Sequence, residues 1–142
     1  MISKKDIIRQ INIIESYLYG THAVQVEYLR DEKDVYYPSL NRVEINSRQN
    51  YHSRLHSLLH EAGHVIIRSE KKQNQFEDRF PDMKIAGGYT RGNISHRIDV
   101  LREEVLAWEE GEKLATYLGL ELDKKKWATH RRAALKSYVE WI

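Results

Sequence analysis

The sequence predicts an α+β fold: four helices around a small three-stranded antiparallel sheet. Three observations predict it. Apolar residues recur at helical spacing in three separate stretches, and a cap at Asp123 opens a fourth helix. Between residues 24 and 46, two short segments alternate apolar and polar side chains instead, as half-buried strands do, and a third, Val35–Tyr37, is a short strand ended by Pro38. The 142 residues, 41% hydrophobic and 31% charged, suit one domain over residues 1–142 with one modest core.

Ser3 and Asp6 form a helix N-cap pair, and Ile7, Ile8, Ile11, Ile14 and Leu18 follow at helical spacing. This predicts a first helix over residues 4–19, with Gly20 as its stop. Val24, Val26 and Tyr28 alternate with Gln25 and Glu27 as a first strand. A charged turn over residues 31–34 leads to a second strand, Val35–Tyr37, which Pro38 ends. Arg42–Asn46 alternates as a third. The short connections favour an antiparallel meander. From Tyr51 to Ser69, the residues Leu55, Leu58, Leu59, Ala62, Val65 and Ile66 make a helical apolar stripe. Residues 70–95, with Pro81, Gly87, Gly88 and Gly92, read as a long loop with room for one short element. A long helix follows over residues 95–118, stopped by Gly119. Asp123 caps a last helix that reaches nearly to Trp141.

Composition narrows the chemistry. The chain has no cysteine, which excludes disulfides, thiolate-bound zinc and a cysteine nucleophile, and leaves histidine and carboxylate as ligands. No run of about 18 apolar residues marks a membrane span, and the amphipathic start does not read as a signal peptide. The expected location is therefore the cytoplasm. A net charge of +2 is too small to argue for nucleic acid. Basic residues do gather at Lys124, Lys125, Lys126, Arg131, Arg132 and Lys136. A solvated helix face is the simplest reading of them.

The residues with chemistry are His60-Glu61-Ala62-Gly63-His64. Histidines at i and i+4 lie one above the other on a helix, so both can reach one zinc ion. The adjacent glutamate can take the proton of an attacking water. Taking about 100° per residue, Leu55, Leu59, Ala62 and Ile66 fall on one side of this helix and the two histidines on the other.

Catalytic zinc usually takes a third protein ligand. A third histidine in the spacing HExxHxxGxxH is ruled out, because Ile67 and Glu70 occupy the required positions. The candidates are then Glu103, Glu104, Glu109, Glu110 and Glu112 on the later helix. Leu101, Val105, Trp108, Gly111 and Ala115 define that helix's predicted buried stripe. Glu104 falls within the stripe and Glu103 one residue off it. A carboxylate on an apolar face needs a partner. Zinc would satisfy Glu104; an ion pair with Arg54 or Arg68 is the alternative. His56, one turn before His60, lies about 12 Å along the helix from His64, too far to share one ion. It reads as a supporting or surface residue. His52, His96 and His130 carry no assignment.

His60–His64 followed by Glu104-Val105-Leu106-Ala107 resembles the gluzincin arrangement, HExxH then ExxA on a downstream helix. Among small members it is similar to the ImmA/IrrE-type metallopeptidases, often found on phages and mobile elements. The resemblance covers two helices and the preceding strand, under half the chain, and Trp108 stands where that family usually carries Asn. It implies a minimal zincin-like fold, zinc on His60, His64 and Glu104, Glu61 as general base, and a protein or peptide substrate. Tyr89, His96 and Tyr138 are candidates to donate to the oxyanion. The strand Arg42–Asn46 is the candidate to hold the substrate by strand addition, and the Gly87–Gly88 loop is either a lid or a loop without that role. Two other readings stay open: a non-catalytic zinc-containing partner-binding module, and a nucleic-acid-associated module using Trp127, His130, Arg131 and Tyr138.

Overall fold

Ser3 opens helix α1, Lys4–His22, by accepting a hydrogen bond from Asp6 N at 3.1 Å. The computed structural model describes residues 2–30, 33–69, 73–83 and 94–142, with only the backbone at 69 and 73–75. The helix does not stop at Gly20. It continues to His22 and closes at Ala23, which takes the left-handed conformation (φ 55°). Ala23 N–H donates to Tyr19 O and Val24 N–H to Leu18 O, each at 3.0 Å. Val24 and Leu18 are both buried, so apolar contact sets the end of the helix. The penalty of about 1 kcal/mol for glycine inside a helix is too small to override it.

The sheet is mixed, which corrects the antiparallel meander. Strand β1 (Gln25–Leu29) pairs parallel with β3 (Arg42–Asn46), and β2 (Val35–Tyr37) pairs antiparallel with β3, giving the order β1-β3-β2. A 3-10 turn, Pro38–Leu40, and Asn41 in the left-handed conformation fold β2 back on β3. Burial explains the order. Val43, Glu44 and Ile45 of β3 are all buried, whereas β2 is three half-exposed residues suited to an edge. The strand expected to receive substrate thus has neighbours on both sides, and β1 and β2 are the two edges.

Helix α2 (Tyr51–Ser69) is the central element. Leu55, Leu58, Leu59, Ala62 and Val65 are essentially inaccessible and pack with Ile14 and Leu18 of α1, with Val43 and Ile45 of the sheet, and with Trp108 and Leu114 of the long helix. A short helix, α3 (Gln73–Arg79), occupies part of the stretch read as loop. Helix α4 spans Ile94–Tyr117, and Gly119 (φ 69°) takes the left-handed turn after it. Asp123 caps α5, Lys124–Trp141, by accepting from Lys126 N at 3.1 Å. No described helix is long and apolar enough to cross a membrane. The architecture is α+β.

Helices α2 and α4 meet backbone to backbone. A Cβ on Gly63 would stand 2.0 Å from Ala107 O, and one on Gly111 would stand 2.7 Å from Leu59 O. Glycine on each helix therefore sets how closely they cross. Gly63→Ala should cost about 3 kcal/mol or more, because the obstacle is main chain and cannot rotate away. The thermal midpoint should drop by roughly 10 °C. An unchanged midpoint in a melting experiment would refute the close crossing.

The buried face of α4 is rotated from the predicted stripe. Val105 is 36% exposed, while Asp99, Glu103, Glu104, Ala107, Trp108, Gly111, Leu114 and Ala115 are buried. Hydrophobicity alone misplaces this face because three of its buried residues are acids, each with partners of its own.

Candidate metal centre

The α2–α4 crossing brings His60, His64 and Glu104 together. The histidine rings are 4.8 Å apart. His60 Nε2 lies 3.0 Å from Glu104 Oε1, and His64 Nε2 lies 2.8 Å from Glu104 Oε2. One ligand atom from each residue lies within 4.8 Å of the others, so the three could hold one metal ion. The donors fit such an ion. His60 Nε2 is buried and near the carboxylate, yet it is not aligned in a hydrogen bond. Ligand atoms converging on a shared cation are arranged in this way. Charge agrees as well. With both imidazoles neutral, the carboxylates of Glu61, Glu103 and Glu104 against the Arg68 guanidinium leave two negative charges, the complement of a divalent cation.

Glu103, placed off the buried stripe by its periodicity, is 3% exposed. Its Oε2 is 2.7 Å from His64 Nδ1. Arg68 grips the same carboxylate with Nε at 3.0 Å and Nη2 at 2.7 Å, and its guanidinium lies 4.4 Å over the Phe76 ring of α3. The ion pair considered for Glu104 therefore belongs to Glu103. Arg54 instead donates to Ser47 O at 2.7 Å. An imidazole that donates through Nδ1 keeps its Nε2 lone pair for a metal, so Glu103 would favour the tautomer of His64 able to hold one. His60 is held differently. It stacks on Trp108 at 4.5 Å and 14°, and its Nδ1 is 3.1 Å from Glu61 Oε2.

The titrations reflect this crowding of opposite charges. Burial alone would lower the pKa of His64, but hydrogen bonds to Glu103 and Glu104 outweigh it and raise it to about 10. His60 is raised too, burial being outweighed by Glu104 and Glu61. Burial would raise Glu104, but His60 and His64 hold it well below the usual carboxylate range. Glu103 is lowered in the same way by His64 and Arg68. A cation at the imidazoles is what the carboxylates favour.

The site lies in a cleft of about 670 Å³ walled by α2, α4, α5 and the edge strand β2, including Val35, Tyr36, Glu61, Trp108, His130 and Tyr138. Of the two candidate oxyanion donors among the described residues, Tyr138 is the one at the cleft. Burial, with Glu104 and Glu61 beside it, pushes its pKa up strongly, so the phenol stays protonated and able to donate. His96 is engaged instead with Asp82 O at 3.0 Å, against Trp141. Tyr89 and the Gly87–Gly88 loop lie outside the described residues.

His56 is not a surface residue. It is 1% exposed, packs edge-on against Trp127 at 5.2 Å, and has its Nδ1 3.3 Å from His130 Nδ1. Periodicity did place 56, 60 and 64 on one face; the partner on α5 had no local signal. Burial, reinforced by His130 and His52, pushes the His56 pKa down to about 3, against about 6.5 in an unfolded chain. Below pH 6.5 the unfolded chain takes up a proton that the folded protein refuses. Stability from this group is thus complete above pH 6.5 and is lost as pH falls toward 3. At pH 5 the loss is on the order of 2 kcal/mol. In urea unfolding at pH 7 and pH 5, His56→Leu should lose less stability than wild type by that amount. Equal losses would refute the account.

Comparison of the chain with models of protein families, with curated proteins and with solved structures returns no match.

Proposed function

We propose that this protein is a zinc-dependent metallopeptidase that hydrolyses a peptide bond in a specific protein or peptide partner. The observation that carries the reading is the convergence of His60 Nε2, His64 Nε2 and the Glu104 carboxylate at a cleft that also contains Glu61. Two imidazoles and one carboxylate are a donor set that suits zinc, and the likeness of His60–His64 and Glu104–Ala107 to the gluzincin pattern supports the same ion. Bound there, zinc would supply Lewis acidity toward a peptide carbonyl and toward water. Glu61 takes the proton of the attacking water as general base. Tyr138 O–H donates to the oxyanion that develops on the carbonyl. The free edge of β2, at Val35–Tyr37, pairs with the backbone of an extended substrate and holds its carbonyl in place. A cytoplasmic setting accords with the lack of cysteine.

One contact favours a second reading, a metal-containing binding module without hydrolysis. Glu61 Oε2 lies 3.1 Å from His60 Nδ1, so its carboxylate already supports a ligand. Metal analysis and peptide-library digestion separate the two. About one zinc per chain, with cleavage that a chelator abolishes, is the expected result. Zinc without cleavage would leave the binding module, and no zinc after zinc is supplied would overturn both.

A further inference from the structure

Helix α5 has two unlike sides. Its inner side, with Trp127, His130, Ala134 and Tyr138, meets the core and the cleft. Taking about 100° per residue, Lys124, Lys125, Arg131, Arg132 and Lys136 fall within about 140° of arc on the outer side. All five are exposed. Of these, only Lys136 has a carboxylate partner among the described residues, Glu140 at 3.8 Å. Residues 124–141 contain six of the 23 basic residues and one of the 21 acidic ones. The helix therefore carries +5 while the rest of the chain is −3. A small net charge conceals a strongly divided molecule.

We propose that the outer face of α5 is a docking surface for the phosphate backbone of duplex DNA. The face offers five cations spread over about 18 Å of helix. No large apolar side chain is exposed between Lys124 and Lys136. A protein partner would need an apolar core to the contact; a phosphate backbone needs cations. A helix about 10–12 Å across also matches the major groove of B-form DNA, about 12 Å wide. The deep, narrow major groove of duplex RNA does not admit side chains. The surface stands independently of the metal site, because none of the five residues touches it.

The test is fluorescence anisotropy of a labelled 20-base-pair DNA with the full chain between 50 and 200 mM salt. Binding should weaken steeply with salt, with a log–log slope of about −4 for four to five phosphate contacts. The triple variant Arg131→Ala, Arg132→Ala, Lys136→Ala should bind at least tenfold more weakly, with its slope reduced in magnitude by about 3. Its metal content and thermal midpoint should match wild type, which separates lost docking from lost folding. Lys113→Ala, an exposed cation on α4, should bind as wild type does. The proposal is overturned by no binding at 50 mM salt, by a triple variant that binds normally, or by equal weakening in Lys113→Ala. Tighter binding to duplex RNA or to polyglutamate would overturn it too, and would reassign the face.

Discussion

Glu104→Ala should leave the purified protein without its metal, while Glu103→Gln should retain most of it. The two glutamates are adjacent, equally charged and both buried, so their two alanine variants differ only in the geometry of what is removed. Glu104 presents one oxygen to each histidine Nε2, at 3.0 and 2.8 Å. Removing it takes away a ligand. Of the two histidines Glu103 touches only His64, at Nδ1 on the far side of that ring. Gln can still accept from Nδ1–H there, so the tautomer survives, although the charge opposite Arg68 is lost. Loss of such an outer partner typically costs about 10–100-fold in metal affinity; Glu103→Ala should fall in that range and Glu103→Gln at its mild end. Glu104→Ala should exceed it. Titration of zinc against a competing chelator measures all three. A Glu103→Ala variant that loses zinc while Glu104→Ala keeps it would reverse the assignment of ligand and support.

Local order made most of the site legible. His60, Glu61 and His64 follow from one helical turn, and Tyr51–Ser69 is a helix with those bounds. Glu104 was reached through the cost of a buried carboxylate, and that cost is indeed met by two histidines. Glu103 is buried although its periodicity lies off the predicted stripe, because that stripe contains Val105, which is 36% exposed. What rotates the helix is the contact of Ala107 with Gly63 and of Gly111 with Leu59, a long-range fit that no window of sequence contains. The sheet failed for a related reason. Two strands show in alternation and the third in Val35–Tyr37 before Pro38, but inserting β3 between β1 and β2 is decided by which strand has most to bury. His130 and His56 meet across two helices, and neither helix alone announces the pair. Structure is legible where chemistry and helix period coincide, and is not where distant segments meet.

Glu61→Gln is the variant that separates chemistry from metal binding. It should lower kcat by about 10²–10⁴-fold, the usual contribution of a general base, with zinc content unchanged. The substitution matters because the proposed base also touches a histidine. Its carboxylate is 3.1 Å from His60 Nδ1, so Ala would remove a support of the ligand along with the base, and lost activity could then mean lost metal. Gln keeps the size and an acceptor oxygen for Nδ1–H but cannot carry a proton away from water. Tyr138→Phe serves as the companion. It removes a donor and no charge, and a kcat loss of about 10²-fold with KM little changed would place its O–H at the transition state. If Glu61→Gln keeps zinc and still cleaves at the wild-type rate, the proton leaves by another route and Glu61 is only the anchor of His60. If it keeps zinc, binds the partner and does not cleave, the stalled complex identifies the substrate.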